Sequence, residues 1–432
     1  MFVPSYGTQH SLASKDAPNN GTEPKIHQPS IQLFPENVPL PLTNFDGADS
    51  TLWHSAYEYC RQMEAEAGED EKLLMYSRVL GYMILEAPST SGRTFISREI
   101  VECIAKKEDA NLLAEFYVYY IFGISDFILR RASHVQPDTF PKHSVNRPTD
   151  EFADNEIEHH IDNEYVRVAP EAEPTDEITS RRSALHRDGF SCMLSGLPDE
   201  ECFEKMTTPQ AKACMGDRPF NLTLTRLCLV IPPSVNWDLN PEEYGYPTVC
   251  RYDMRKYEIM KAYQLDIQTA HSKSLGSIVK GFSGIDVAVE LSGDKAYRLS
   301  NALTLTMLAR EFFYRLYLWF EEVPLTSAFL SQETPNTYTV LTLRRCGVME
   351  DIPKPHVFTF TTSTDMPLPD PRFLRFHASI CRVAHLANVY SFFGKVARYR
   401  DGMEPDGTSA DFWLHTSFML SQQIVGRRHW SV

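Results

Sequence analysis

Near its middle the chain loses every apolar pattern that a core could use. From 132 to 178 proline recurs, and between Asp150 and Glu177 eleven acidic residues meet a single basic one, Arg167. Such a stretch buries too little apolar surface to offset the entropy of ordering it, so it reads as a solvated acidic linker between two folded parts. Eleven acids against one arginine make a local charge of −10, which leaves only −5 of the formal −15 for everything else. That balance argues against a strong non-specific nucleic-acid binder, whose affinity rests on neutralising phosphates. A local basic site stays open.

Pattern returns on both sides of the linker. Residues 1–50 are rich in Pro, Ser, Asn and Gly without apolar period and read as a disordered tail. Residues 51–131 form a helical region. Apolar residues recur at helical spacing in "DEKLLMYSRVLGYMILEA", and "FISREIVECIAKKEDANLLAEFYVYYIFGISDFILRRA" supplies two further helices or more, with "STSGR" (89–93) as the turn between the groups. The second folded part, 179–400, is mixed. Asp188-Gly189 before a short apolar run is a strand-and-hairpin signal, and "TLTRLCLVIPP" is a buried strand stopped by Pro232 and Pro233. Residues 298–320 place Leu303, Met307, Phe312, Leu316 and Phe320 on or near one helix face. "NTYTVLTL" and "HVFTFTT" read as strands, and "PDP" opens a helix running from Pro371 to about Tyr399. Residues 401–432 are a C-terminal tail. With 43% hydrophobic residues and 12% aromatics the core can be sizeable, and the class is α+β.

Nine cysteines, an odd number with no CxxC pair, suit reduced thiols in a cytoplasmic or nuclear protein. The first residues lack the basic and apolar blocks of a signal peptide. The most apolar run, "FYVYYIFGI" (116–124), is about half the length of a bilayer span, so no membrane partner is expected. The sequons at Asn20 and Asn221 are then chance matches.

Six pieces carry a resemblance: "RRSALHRDGFSCMLSG" (181–196), "LVIPPSVN" (229–236), "YRLSNALTL" (297–305), "EFFYRLYLWFEE" (311–322), "PNTYTV" (335–340) and "PLPDPRFLRFHASICRVAHLA" (367–387). In order and rough spacing they resemble the HNH-endonuclease-like proteins abundant in mushroom-forming fungi, over residues 70–400. The resemblance implies a helical N-terminal region followed by a ββα-metal core with an added β-hairpin and a C-terminal helix. In intact members a histidine on the first strand is the general base toward water. The residue next to it and a histidine on the following helix hold one divalent ion such as Mg, and an Asn at the helix start orients the base.

Carried over position by position, the base falls on Leu229, the adjacent ligand on Cys228, the Asn on Asn301 and the helix ligand on Arg310. Leucine accepts no proton, arginine ligates no metal, and a thiolate prefers softer ions than Mg. No one-residue slip restores a base, because the only histidine between Arg187 and Pro355 is His271. The resemblance therefore implies a catalytically inactive nuclease fold, without cofactor, that acts by binding a protein or nucleic acid. The alternative is an accessory protein or enzyme of fungal specialised metabolism on a repurposed fold, and the third reading an active metal-dependent endonuclease.

Other groups carry a sharper and a blander reading. Arg181, Arg182, His186 and Arg187 form a basic cluster, either a phosphate contact or an ordinary surface. Arg310 either contacts a phosphate where the ion's charge would stand or pairs with an acidic neighbour. His377, Cys381 and His385 fall at i, i+4 and i+8, but helical rise separates the histidines by roughly 12 Å along the axis, too far for one zinc, so a packed face is the simpler reading. Cys192 and Ser195 stand where some HNH proteins carry a CxxC knuckle, with Ser in place of the second ligand. His159 and His160 lie beside carboxylates in a stretch that fixes no coordination geometry.

Overall fold

The computed structural model describes residues 34–106, 110–118, 166, 169–215, 221–232, 276, 278–323, 335–343, 357–362 and 364–391. Most of the acidic linker, His159, His160, His271, Asn20 and the tail 401–432 lie outside the described residues.

Among the described residues the N-terminal half holds α1 (Ser50–Ala67), α2 (Glu71–Leu85), α3 (Thr90–Ala105) and α4 (Ala110–Tyr117). Local chemistry starts them. The Asp70 carboxylate accepts the amides of Lys72 and Leu73 at the head of α2, and the Ser89 hydroxyl accepts that of Gly92 at the head of α3. Thus "STSGR" is the cap and first turn of a helix rather than a free turn. Met75, Val79, Leu80, Met83 and Ile84 turn the inner face of α2 into the core against Ala56, Tyr57 and Cys60 of α1 and Ile96 and Ile100 of α3. Gly92 is needed for a close approach: a Cβ there would stand 1.9 Å from the Phe282 carbonyl oxygen of the helical segment 278–283.

The second half begins with α5 (Glu177–Arg187), opened by a capping box between Asp176 and Thr179. The short helices α6 (Glu200–Lys205) and α7 (Thr208–Met215) follow, then strand β1 (Thr225–Leu229) and the single-turn helix α8 (Val287–Glu290). Strand β2 (Ala302–Thr306) pairs antiparallel with β1, Cys228 opposite Leu303 and Leu229 opposite Ala302. Helix α9 (Met307–Tyr314) leaves β2 directly, capped by Thr306. Strands β3 (Leu318–Glu322), β4 (Thr337–Thr342) and β5 (Val357–Thr359) form a second antiparallel sheet in that order, and α10 (Pro371–Leu386) closes the fold. Helices segregated from small antiparallel sheets make the class α+β.

Four expectations need correction. The stretch 298–320 is not one helix: it runs through a 3-10 turn, β2, α9 and into β3. Its apolar residues fit a helical period, but "ALTLT" also alternates, and pairing with β1 buries Leu303 and Leu305 on one face. Leu316 at φ 56 then ends α9, with Leu316 N–H donating to Phe313 O and Tyr317 N–H to Phe312 O, a C-terminal cap built on a residue other than glycine. Second, α10 breaks after Leu386, with Asn388 at φ 60, and helix resumes over 389–391; residues 392–399 lie outside the described residues. Third, the tail ends before residue 50. Residues 34–41 are a strap across the fold, with the Asn37 and Val38 amides donating to the His385 and Leu386 carbonyls at 3.0 Å and the Tyr57 hydroxyl to Pro41 O at 2.8 Å. Leu40 is buried against α2. Fourth, residues 169–178 belong to the fold, where the Glu171 amide donates to Ser183 and Asp176 caps α5.

The two halves share one continuous core, in which α10 lies between them. Its Arg382 pairs with Glu86 at the end of α2 (2.6 Å) and with Glu321 of β3. Six cysteines of the described residues are buried free thiols, and no described helix is long and apolar enough to cross a membrane.

Candidate functional site

Strand β1 points successive side chains to opposite faces of the β1–β2 ribbon, and a helix covers each face. Leu227 and Leu229 pack with Ala184 of α5, Leu299 and Ala302. Cys228 points the other way, into the main core with Leu303, Ala309 and Phe313. Of the two adjacent positions, therefore, only Cys228 faces α9.

Beside Cys228 stand Tyr314 and Arg310, one helical turn apart on α9. The Leu229 amide donates to the Tyr314 hydroxyl at 3.0 Å. The Arg310 guanidinium lies over the Tyr314 ring, 5.1 Å from its centroid. Burial pushes the Cys228 thiol up to about 12, although Arg310 and the Tyr314 hydroxyl oppose the rise. Burial also raises Tyr314 well above the ordinary phenol value, the nearby Cys228 adding to it and Arg310 lowering it. Both stay protonated near neutrality, so neither is a nucleophile or a base there.

Asn301 does not open a helix. It precedes β2 and is fully buried, with Oδ1 accepting the Ile231 amide at 2.9 Å and Nδ2 donating to Ile231 O (2.8 Å) and Ala296 O (2.9 Å). It fixes the exit of β1 to the start of β2. Cys228, Tyr314 and Arg310 cluster together, with the Leu229 side chain behind the ribbon. Tyr314 escaped the sequence reading. Its one signal was the i, i+4 spacing from Arg310 in "AREFFY".

The basic cluster is not an open phosphate site. Arg187, fully buried, donates to the carbonyls of Leu299 (2.8 Å), Ala302 (2.9 Å) and Pro367 (3.2 Å) and pairs with buried Asp188 at 2.7 Å. Arg181 pairs with Glu201 at 2.8 Å and Arg182 with Glu171 at 2.7 Å. The His186 ring meets Phe190 edge-on at 4.7 Å. A helix with one face on a strand pair turns its long cationic side chains toward carbonyls and carboxylates at the rim, which sequence alone shows only as a run of charge.

His377, Cys381 and His385 line the face of α10 on the end of α9. His377 Nε2 bonds Phe313 O at 3.1 Å and its ring stacks on Phe313 at 3.7 Å; burial lowers its pKa to about 3. Between Cys192 and Ser195, the Ser195 amide reaches Cys192 Sγ at 3.5 Å. No group of three or more His, Cys, Asp or Glu among the described residues could hold a metal ion. A shallow groove lined by Thr51, His54, Glu58, Arg61 and Ile104 lies on α1 and α3, away from all these groups, and its Arg61 is paired with Glu58 at 2.9 Å.

No protein-family model, curated protein or solved structure matches the chain.

Proposed function

We propose that the β1–β2–α9 unit is a ββα-metal nuclease core that has lost its chemistry and serves as a protein-binding scaffold. The observation that carries this reading is the composition of the place where a base and a metal would stand. Cys228, Tyr314 and Arg310 fill it, with a protonated thiol, a protonated phenol and a permanent cation. Hydrolysis of a phosphodiester needs a proton acceptor for water and a charge sink for the leaving oxygen, and these side chains supply no acceptor near neutral pH.

Two further features favour a protein over a nucleic acid. Cations around the unit are spent on carboxylates: Arg181 and Arg226 on Glu201, Arg315 on Glu311, Arg375 on Glu322. A phosphate backbone would have to displace these pairs. The start of α9 also exposes two consecutive apolar residues, Met307 at 48% and Leu308 at 47%. The test is a shift assay of the full chain with single- and double-stranded DNA and RNA at low salt, wild type beside Arg310→Ala. No shift is expected in either. A salt-sensitive shift weakened by Arg310→Ala would replace the protein partner with a nucleic acid.

A further inference from the structure

Two histidines of α10 sit on the end of α9. The Nδ1 of His377 stands 3.6 Å from the Cys381 thiol. His385 Nε2 bonds Leu316 O at 2.7 Å, and its ring is stacked with Trp319 (5.5 Å, 23°) and Tyr390 (4.9 Å, 24°), with Phe34 edge-on at 6.4 Å. Its Nδ1 faces the Glu36 carboxylate at 3.9 Å. Glu36 belongs to the N-terminal strap, and the next residue, Asn37, donates its amide to the carbonyl of His385 itself.

We propose that His385 is a proton-operated latch for the strap: the protonated ring holds Glu36, and the neutral ring lets it go. With Nε2 committed as donor to Leu316 O, a neutral ring turns an Nδ1 lone pair toward a carboxylate, an arrangement without attraction. One added proton converts it to an ion pair and sets a cation against aromatic faces. The charged and titratable groups around the ring are Glu36 on the strap, Arg315 (paired with Glu311) and Tyr317 before β3, Glu321 on β3, Cys381 and Arg382 (paired with Glu86 and Glu321) on α10, and Tyr390, whose hydroxyl donates to Arg315 O. The strap in turn lies over α1 and α2 and joins them to the end of α10.

The test is hydrogen exchange of the Asn37 and Val38 amides in the full chain at pH 5.5 and pH 8.0, which bracket the ordinary imidazole range. Rates are corrected for intrinsic exchange and referred to the Val79 and Leu80 amides of α2, so that any general loss of stability cancels. Glu36 is half-exposed, so Glu36→Gln leaves the fold intact. In the wild type, protection of the two strap amides should be about two- to fivefold greater at pH 5.5, the scale of a partly exposed ion pair, and in Glu36→Gln the difference should vanish. Equal protection at both pH values in the wild type, or the same difference in Glu36→Gln, overturns the proposal.

Discussion

The two faces of the β1–β2 ribbon use charge in opposite ways. Under α5, Arg187 is locked among three carbonyls and a buried carboxylate, and the rest of that face is Leu227, Leu229, Ala184 and Ala302. Under α9, Arg310 lies over one tyrosine and beside one thiol, only partly buried. The first face is architecture. The second is the place where, on the function proposed above, a base and a metal would stand, and its polar groups are few. The contrast teaches that one face of a strand pair can be held by a buried polar network while the other carries only a few polar groups.

Breaking the rear face should therefore cost most. Arg187→Ala leaves Asp188 buried without its partner and three carbonyls without a donor, and should lose about 3–5 kcal/mol in denaturant unfolding. Asn301→Ala, at the edge shared by both faces, strands the Ile231 amide and two carbonyls and should cost about 3 kcal/mol by the same measurement. Between them these substitutions test whether the ribbon is held by its buried polar network.

The end of α9 has its own sensitivity. Folded His377 stays neutral down to about pH 3, whereas in the unfolded chain it takes a proton near 6.5. Between those values the unfolded state binds the extra proton. Its contribution is therefore complete above pH 6.5 and falls on acidification by about 1.4 kcal/mol per pH unit. Unfolding midpoints at pH 7.5 and 5.5 should differ by that amount in the wild type, and the slope should flatten in His377→Gln. Front-face changes should be smallest. Tyr314→Phe removes the acceptor of the Leu229 amide and should cost about 1 kcal/mol.

Sequence pattern showed what depends on local period and missed what depends on partners. The buried strand over Thr225–Leu229, the strand over Thr337–Thr342 and the helix opened at Pro371 were legible because alternation, β-branching and Asp-Pro capping act within a few residues. Residues 298–320 misled, since Leu303 and Leu305 satisfy both periods until β1 is alongside, and no glycine marks the turn at Leu316. The strap was hidden by its prolines: Leu40 is one apolar residue whose burial needs α2, a distant segment. At the candidate site, the substitutions at positions 228, 229 and 310 could be read, but not that strand alternation turns the Leu229 side chain away from α9. Nor could Arg187 be known as buried, since its carbonyl partners come from residues 299, 302 and 367.

If the β1–β2–α9 unit keeps a nuclease-like shape without nuclease chemistry, as proposed above, the purified full chain should leave plasmid DNA and RNA intact in the presence of Mg, Mn or Zn. No cleavage above a chelator control is expected with any metal. Metal-dependent cleavage that is abolished by the chelator and reduced by Arg310→Ala or Tyr314→Phe would contradict it.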